Sequence, residues 1–327
     1  VRALVCHRFG PVGDLTVEEL DSPTPGEGQV VVRVEAAGLN YPDALVVQGK
    51  YQVKPPLPFV PGMEVAGTVA AVGPGVEAWR VGDAVMATSQ TGAFAEACAV
   101  QVERVMRRPG SIPPDVAAAS LITYGTTYHA LKDRARLRPG ETVLVLGAAG
   151  GVGTAAVELA KLMGARVIAA ASSQAKLAVC RSLGADAVID YATEPLRERL
   201  QELTGGKGGR GVDVVYDPVG GAHAEVALRA TGWDGRYLVI GFAAGEIPKV
   251  ALNLALLNAR SILGVYWGDW ARRHPAESQE NFTALAGWLA AGRLRPVISE
   301  RLPLAEVPRA MLDLVERRAH GKLVVVP

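Results

Sequence analysis

The chain has 327 residues, 49% of them apolar and 20% charged, with a formal net charge of +1. This is a globular balance in a chain long enough for two domains, and so neutral a charge excludes an electrostatic case for nucleic acid or an anionic membrane surface. No apolar run approaches the roughly 18 residues of a membrane span. The three cysteines, Cys6, Cys98 and Cys180, stand far apart with no CxxC pair, which excludes a disulfide framework and a structural zinc and fits a reducing cytoplasm.

The opening stretch, residues 1–7, lacks the apolar core of a signal peptide and reads as a strand. Short β-branched or alternating runs predict strands at 3–6, 30–36, 65–72, 83–87 and 93–100. Turn residues separate them: Pro23, Pro25 and Gly26, then Gly73, Pro74 and Gly75, then Gly82 with Asp83, and Thr91 with Gly92. Strands at this spacing predict a β-rich, barrel-like antiparallel domain. The proline-rich segment 55–62 fits neither a central strand nor a helix and is expected as an extended loop.

The texture changes near residue 115. Asp115 suits the N-cap of an apolar stretch over 116–121, and 127–135 reads as helical. Strands then alternate with helices: strands at 143–146, 166–171, 187–190, 212–217, 236–240 and 262–265, helices at 151–163, 174–183, 194–203 and 222–231. That order predicts an α/β fold with a doubly wound parallel sheet, a Rossmann-type unit. The glycine-rich stretch 205–211 is a connector. Beyond 270 the alternation stops. Helices at 278–291 and 305–319 and strands at 295–301 and 322–326 lack a core of their own, so this tail is expected to pack on the first domain. The expected boundaries are 1–120 and 267–327 for one domain and 121–266 for the inserted one.

The centre of the chain is the stretch from Val143 to Gly153. An apolar strand runs into a glycine-dense turn and then into a helix, with Ala148, Gly150 and Gly153 in an A-x-G-x-x-G register enclosing Gly151 and Val152. Small residues there permit a tight turn and a close approach to a pyrophosphate, which the helix amino end would attract. The competing reading is a glycine-rich turn with no ligand. The second strand of the unit ends at Ala171, where NAD-binding proteins carry an acid for the ribose 2′-hydroxyl; Ser172, Ser173 and Lys176 follow instead. Hydroxyls and a cation suit a 2′-phosphate, so NADPH is expected over NADH. The plainer alternatives are a helix cap at Ser173 and an exposed lysine at Lys176.

Several segments in order carry a wider resemblance: Asn40-Tyr-Pro-Asp43, Gln48-Gly49-Lys50-Tyr51, Pro61-Gly62-Met63-Glu64-Val-Ala-Gly67, Val81-Gly82-Asp83, Ala148 to Gly153, Asp217-Pro-Val-Gly220 and Gly321-Lys322. With these the chain resembles the medium-chain dehydrogenase/reductase superfamily, in its zinc-free NADPH:quinone oxidoreductase branch, over nearly its whole length. The resemblance implies a chaperonin-10-like β-rich catalytic domain with an inserted Rossmann domain, a nicotinamide in the cleft between them, and dimers formed through the edge of the Rossmann sheet. It implies cofactor contacts at Lys176 and Tyr191, at Val219, at Gly241, Phe242 and Ala243, and at Lys322. It places Asn40, Tyr51 and Thr126 at the reaction centre, with Thr126 near the carboxamide.

Departures from the zinc-dependent members matter as much. Where those carry cysteine, histidine and cysteine ligands, this chain has Asn40, Met63 and the Ile122–Thr123 region, and an amide and a thioether do not replace zinc ligands. No metal is expected. The five histidines show no metal spacing. Tyr51 either gives a proton to the substrate after hydride arrives or lines the cleft; Asn40 either orients substrate or stabilises its loop. Asp43 and Glu64 read as structural, and Trp267 and Trp270 as packing residues or a pocket wall. Three functions compete: metal-free reduction of quinones or enones, enoyl thioester reduction with Tyr51 as proton donor, and NADPH binding without turnover.

Overall fold

The computed structural model describes residues 1–205 and 209–327. They form two compact units, 1–122 with 286–327, and 123–285.

The first unit opens with β1 (Arg2–Val5) and β2 (Thr16–Glu19), an antiparallel pair. It continues through β3 (Gln29–Leu39), α1 (Tyr41–Val47), β4 (Glu64–Val72), β5 (Ala84–Thr88), β6 (Ala97–Gln101), β7 (Val105–Arg107) and α2 (Pro114–Ala118). The chain enters the second unit along α3 (Leu121–Tyr128), whose continuation, His129–Arg134, widens to a π-helix.

There follow β8 (Thr142–Leu146), α4 (Gly151–Leu162), β9 (Arg166–Ala171), α5 (Gln174–Ser182), β10 (Ala187–Asp190), α6 (Leu196–Leu203), β11 (Val212–Asp217), α7 (His223–Ala230) and β12 (Thr231–Val239). The unit ends with α8 (Asn253–Leu256), β13 (Ser261–Gly264), α9 (Trp267–Arg273) and most of α10 (Pro275–Ala290). The chain then returns to the first unit with β14 (Ile298–Leu302), α11 (Val307–Val315) and β15 (Lys322–Val325).

In the first unit the long β3 is the spine. It pairs β4 along one edge, and β6 and then β15 along the other, all antiparallel. The sheet order is β14-β15-β3-β4-β5-β7, and only β14 and β15 run parallel. Alternate residues Val30, Val32 and Val34 of β3 face a core with Val65, Val69, Val85, Phe94 and Val325. In the second unit six parallel strands lie in the order β10-β9-β8-β11-β12-β13. Val143 to Leu146 are fully buried, as a strand covered on both faces requires.

Five of the six strands and all four helices of the alternating region stand where periodicity puts them, within a few residues. The exception is β12, which starts at Thr231 because Thr231 pairs with Val212 ahead of a bulge. The 55–62 segment has no helix or ladder strand. The connector expected at 205–211 lies partly outside the described residues; 209–211 are irregular.

One element was not anticipated, and three expectations need correction. Residues 41–47 form helix α1, with Pro42 in its first turn, where a proline costs nothing. Asp115 is not an N-cap: Pro113 holds that place, and Asp115 lies inside α2, accepting from Arg301 Nε at 2.8 Å. The helix expected at 127–135 begins earlier, at Leu121. The return to the first unit falls after Leu285, not after 266, because α9 and α10 pack on α3 and its π-helical continuation within the second unit.

Candidate functional site

At the end of β8, Gly147 turns the chain with φ +57°. The N–H of Gly150 donates back to Gly147 O at 3.0 Å, and that of Ala148 to Ala170 O of β9, also at 3.0 Å. Helix α4 lies directly on this turn: a Cβ at position 153 would stand 2.3 Å from Gly147 O, so only glycine fits. No side chain caps the amino end of α4. Its first-turn N–H groups and positive dipole end suit a phosphate. The residues present therefore fit a dinucleotide pyrophosphate.

Ala171 closes β9. Ser173 Oγ accepts from Lys176 N at 3.3 Å and so caps α5, while Lys176 Nζ reaches Ser172 Oγ at 3.5 Å. Tyr191 N donates to Ala171 O at 3.1 Å, which brings Tyr191 to the same strand end. Its ring lies 4.5 Å from that of His223. Two hydroxyls, an ammonium and a phenol thus share one corner. The adjacent carboxylate, Asp190, accepts from Ala192 N in its own turn and from Gln174 Nε2 at the start of α5.

At the end of β11, Asp217 Oδ1 accepts from Val219 N at 2.7 Å and Gly220 N at 2.9 Å. Its Oδ2 accepts from the Tyr237 hydroxyl. Burial, and then the Asp217 charge, hold the Tyr237 phenol far above the ordinary tyrosine range. The segment beyond β12 is laced to the same turn, Ala243 N to Pro218 O at 3.0 Å and Gly241 N to Asp217 O at 3.3 Å. Val219, Gly241, Phe242 and Ala243 are thereby brought together at the carboxyl ends of β11 and β12, where ligands of open α/β sheets collect. Thr126 belongs to this unit too, half-buried on α3 between residues that are buried.

Asn40 and Tyr51 belong to the first unit. Asn40 precedes α1, and its N–H donates to Asp43 Oδ2 at 2.7 Å. Its side chain is engaged at both ends: Nδ2 donates to Glu64 Oε1 at 2.7 Å, and Oδ1 accepts from Lys322 Nζ at 2.8 Å. Lys322 Nζ also donates to Glu64 Oε1 at 2.7 Å and Leu39 O at 3.0 Å. Glu64 Oε2 accepts from Ile122 N in the first turn of α3 at 2.9 Å. Glu64 and Lys322 are 0% and 3% exposed.

Lys322 Nζ thus makes three hydrogen bonds within the first unit. Asp43, 1% exposed, has its Oδ1 buried without a partner. Burial pushes its carboxyl up to about 7, against the hydrogen bond from Asn40 and the charge of Lys322. Tyr51 is half-buried against the first unit's core.

These residues do not fit a zinc ion. Asn40 offers an amide already bonded twice, Met63 a thioether, and the nearest carboxylate, Glu64, holds the Lys322 ammonium on the same oxygen that accepts from Asn40. Among the described residues no group of three or more histidine, cysteine, aspartate or glutamate side chains is placed to hold a metal.

Sequence reasoning missed Tyr237 and the joining of Lys322 to Glu64. It treated Asp217 only as part of a motif. Trp267 and Trp270 pack inside the second unit, Trp270 stacked on His129 at 3.9 Å.

Comparison with known proteins agrees with this division. Residues 26–113 match the alcohol dehydrogenase GroES-like domain and 151–287 the zinc-binding dehydrogenase domain. A quinone oxidoreductase-like protein 2 homolog from Nematostella vectensis is 38% identical, over 99% of this chain and 88% of its own length. A quinone oxidoreductase from Pseudomonas aeruginosa is 37% identical over 98% and 97%. The Escherichia coli quinone oxidoreductase, solved in complex with NADPH, superposes with a TM-score of 0.92 at 29% identity and covers the whole of both chains.

Proposed function

The chain belongs to the medium-chain dehydrogenase/reductase superfamily, in its quinone oxidoreductase branch, and we propose that it reduces quinones or related enones with NADPH, by hydride transfer without a metal. It is an oxidoreductase by kinship with named quinone oxidoreductases. The observation that carries the cofactor choice is the corner at β9: Ser172, Lys176 and Tyr191 stand where an acidic residue would repel a 2′-phosphate. A relative that binds NADPH, with the same fold over its full length, supports it.

Bound NADPH would supply the hydride; the chain supplies position and polarity. The α4 amino end holds the pyrophosphate, and the laced segments at 217–220 and 241–243 receive the nicotinamide side. Thr126 orients the carboxamide. Tyr51 hydrogen-bonds the substrate oxygen. Asn40, with both amide atoms committed, acts by holding its loop.

We also place a second copy of the chain against β13. This strand is the sheet edge, Ile262 on it is exposed, and Leu252 and Leu256, which precede it in sequence, are 82% and 80% exposed. Three free, buried cysteines fit a cytoplasmic location. Among the described residues no helix is long and apolar enough to cross a membrane.

Titration calorimetry with NADPH and NADH tests the reading. Binding of NADPH at least about tenfold tighter supports it; equal affinities, or binding of neither, overturn it.

A further inference from the structure

Helix α3 carries Thr126 and is held from two sides. On one side the Tyr124 hydroxyl donates to Glu158 of α4, and Thr127 Oγ1 shares a hydrogen bond of 2.8 Å with the hydroxyl of Tyr216 on β11. These bonds tie α3 to the phosphate helix and to the sheet.

On the other side lies α9. The Trp267 indole rests on the bare backbone of Gly125: a Cβ there would stand 2.7 Å from Trp267 Cζ2 and 3.0 Å from Cε2. Contacts that close leave no space for any larger residue without a shift. The indole is itself fixed, since Phe282 of α10 meets it edge-on with ring centroids 5.8 Å apart. Trp270 stacks on His129 at 3.9 Å. His129 Nδ1 and Asp133 Oδ2 share a bond of 2.9 Å, Asn281 Nδ2 donates to the same oxygen at 2.9 Å, and Lys132 Nζ donates to Asn281 Oδ1 at 2.6 Å. Helix α9 is thereby prevented from sliding along α3.

We infer that Trp267 is a positioning residue for the cofactor: by bearing on Gly125 it sets the height of α3 and with it the place of the Thr126 hydroxyl. Gly125 and Thr126 are adjacent, so displacement of one by a fraction of an ångström moves the other. The inference rests on the reading of Thr126 as the carboxamide contact. The 2′-phosphate corner stands on β9 and α5, elements that none of these bonds ties to α3, so the effect is expected at the nicotinamide end.

Adenosine 2′,5′-bisphosphate carries the 2′-phosphate and no nicotinamide, and separates the two ends. In the intact 327-residue chain, Gly125→Ala is expected to raise the calorimetric Kd for NADPH about tenfold, as small misplacements of contact groups do, and to leave that for the bisphosphate unchanged. Trp267→Leu in the same chain makes room for the new methyl and is expected to recover most of the loss. Should Gly125→Ala fail to fold, Trp267→Leu alone carries the test: weaker NADPH, unchanged bisphosphate, and recovery in Trp267→Phe. Unchanged NADPH binding, an equal loss for both ligands, or no recovery by the second substitution overturns the inference. If the unmodified chain binds the bisphosphate but gains nothing from the nicotinamide, the assignment of Thr126 fails instead.

Discussion

Lys322 donates to Glu64 at 2.7 Å across a separation of 258 residues, and both side chains are buried. The pair joins the last strand of the chain, β15, to the start of β4. The other oxygen of Glu64 accepts from Ile122 in the first turn of α3. An internal ammonium thus satisfies a carboxylate that would otherwise be buried without a counter-charge.

Removing that ammonium leaves Glu64 uncompensated. Lys322→Met is expected to destabilise the protein by about 3–5 kcal/mol in urea unfolding, and adding Glu64→Gln to recover part of the loss, because an unpaired buried charge costs more than the pair contributes. A Lys322→Met protein as stable as the parent would contradict the arrangement.

Asp43 gives stability a distinct pH dependence. Its carboxyl is raised from 3.8 to about 7, chiefly by burial. A raised acid binds its proton more tightly folded than unfolded, so its contribution is fully present below about pH 4 and is lost as pH rises towards 7. Asp43→Asn, which cannot ionise, should remove this component. Melting temperatures of the two proteins between pH 4 and 8 check it: the difference between them should shift in favour of Asn as pH rises.

The 2′-phosphate corner predicts a selectivity change. Lys176→Ala is expected to weaken NADPH about tenfold and leave NADH unaffected, since one charge-assisted contact is lost. Ser172→Asp should reverse the preference by repulsion. Parallel titrations with both nucleotides give the answer, and equal losses for the two would remove Lys176 from the site.

The parallel-sheet unit was legible because its signals are local. Residues 143–146 are apolar throughout, as a strand buried on both faces must be, and the turn that follows carries glycine wherever a Cβ would collide. That Ser172 and Lys176 stand together beside the end of β9 was legible for the same reason, since both lie within one turn of it. Helix α1 escaped notice although its start signal is in the sequence: Asn40 and, three residues on, Asp43, whose carboxylate accepts from the Asn40 N–H. Pro42 is no obstacle, since proline belongs in a first helical turn.

What sequence could not offer were the long-range partners. Nothing local links Lys322 to Glu64, Tyr237 to Asp217, or Trp267 to Gly125; each pair meets only because distant strands or helices pack together. The resemblance puts Lys322 at the cofactor; its bond to Glu64 was not foreseen.

The most direct test of the account is the rate of NADPH oxidation with a panel of quinones and enones, with NADH in parallel and a metal chelator present or absent. Turnover is expected with NADPH, far slower turnover with NADH, and no change on chelation. No oxidation of NADPH by any acceptor, or activity abolished by the chelator and restored by zinc, would contradict it.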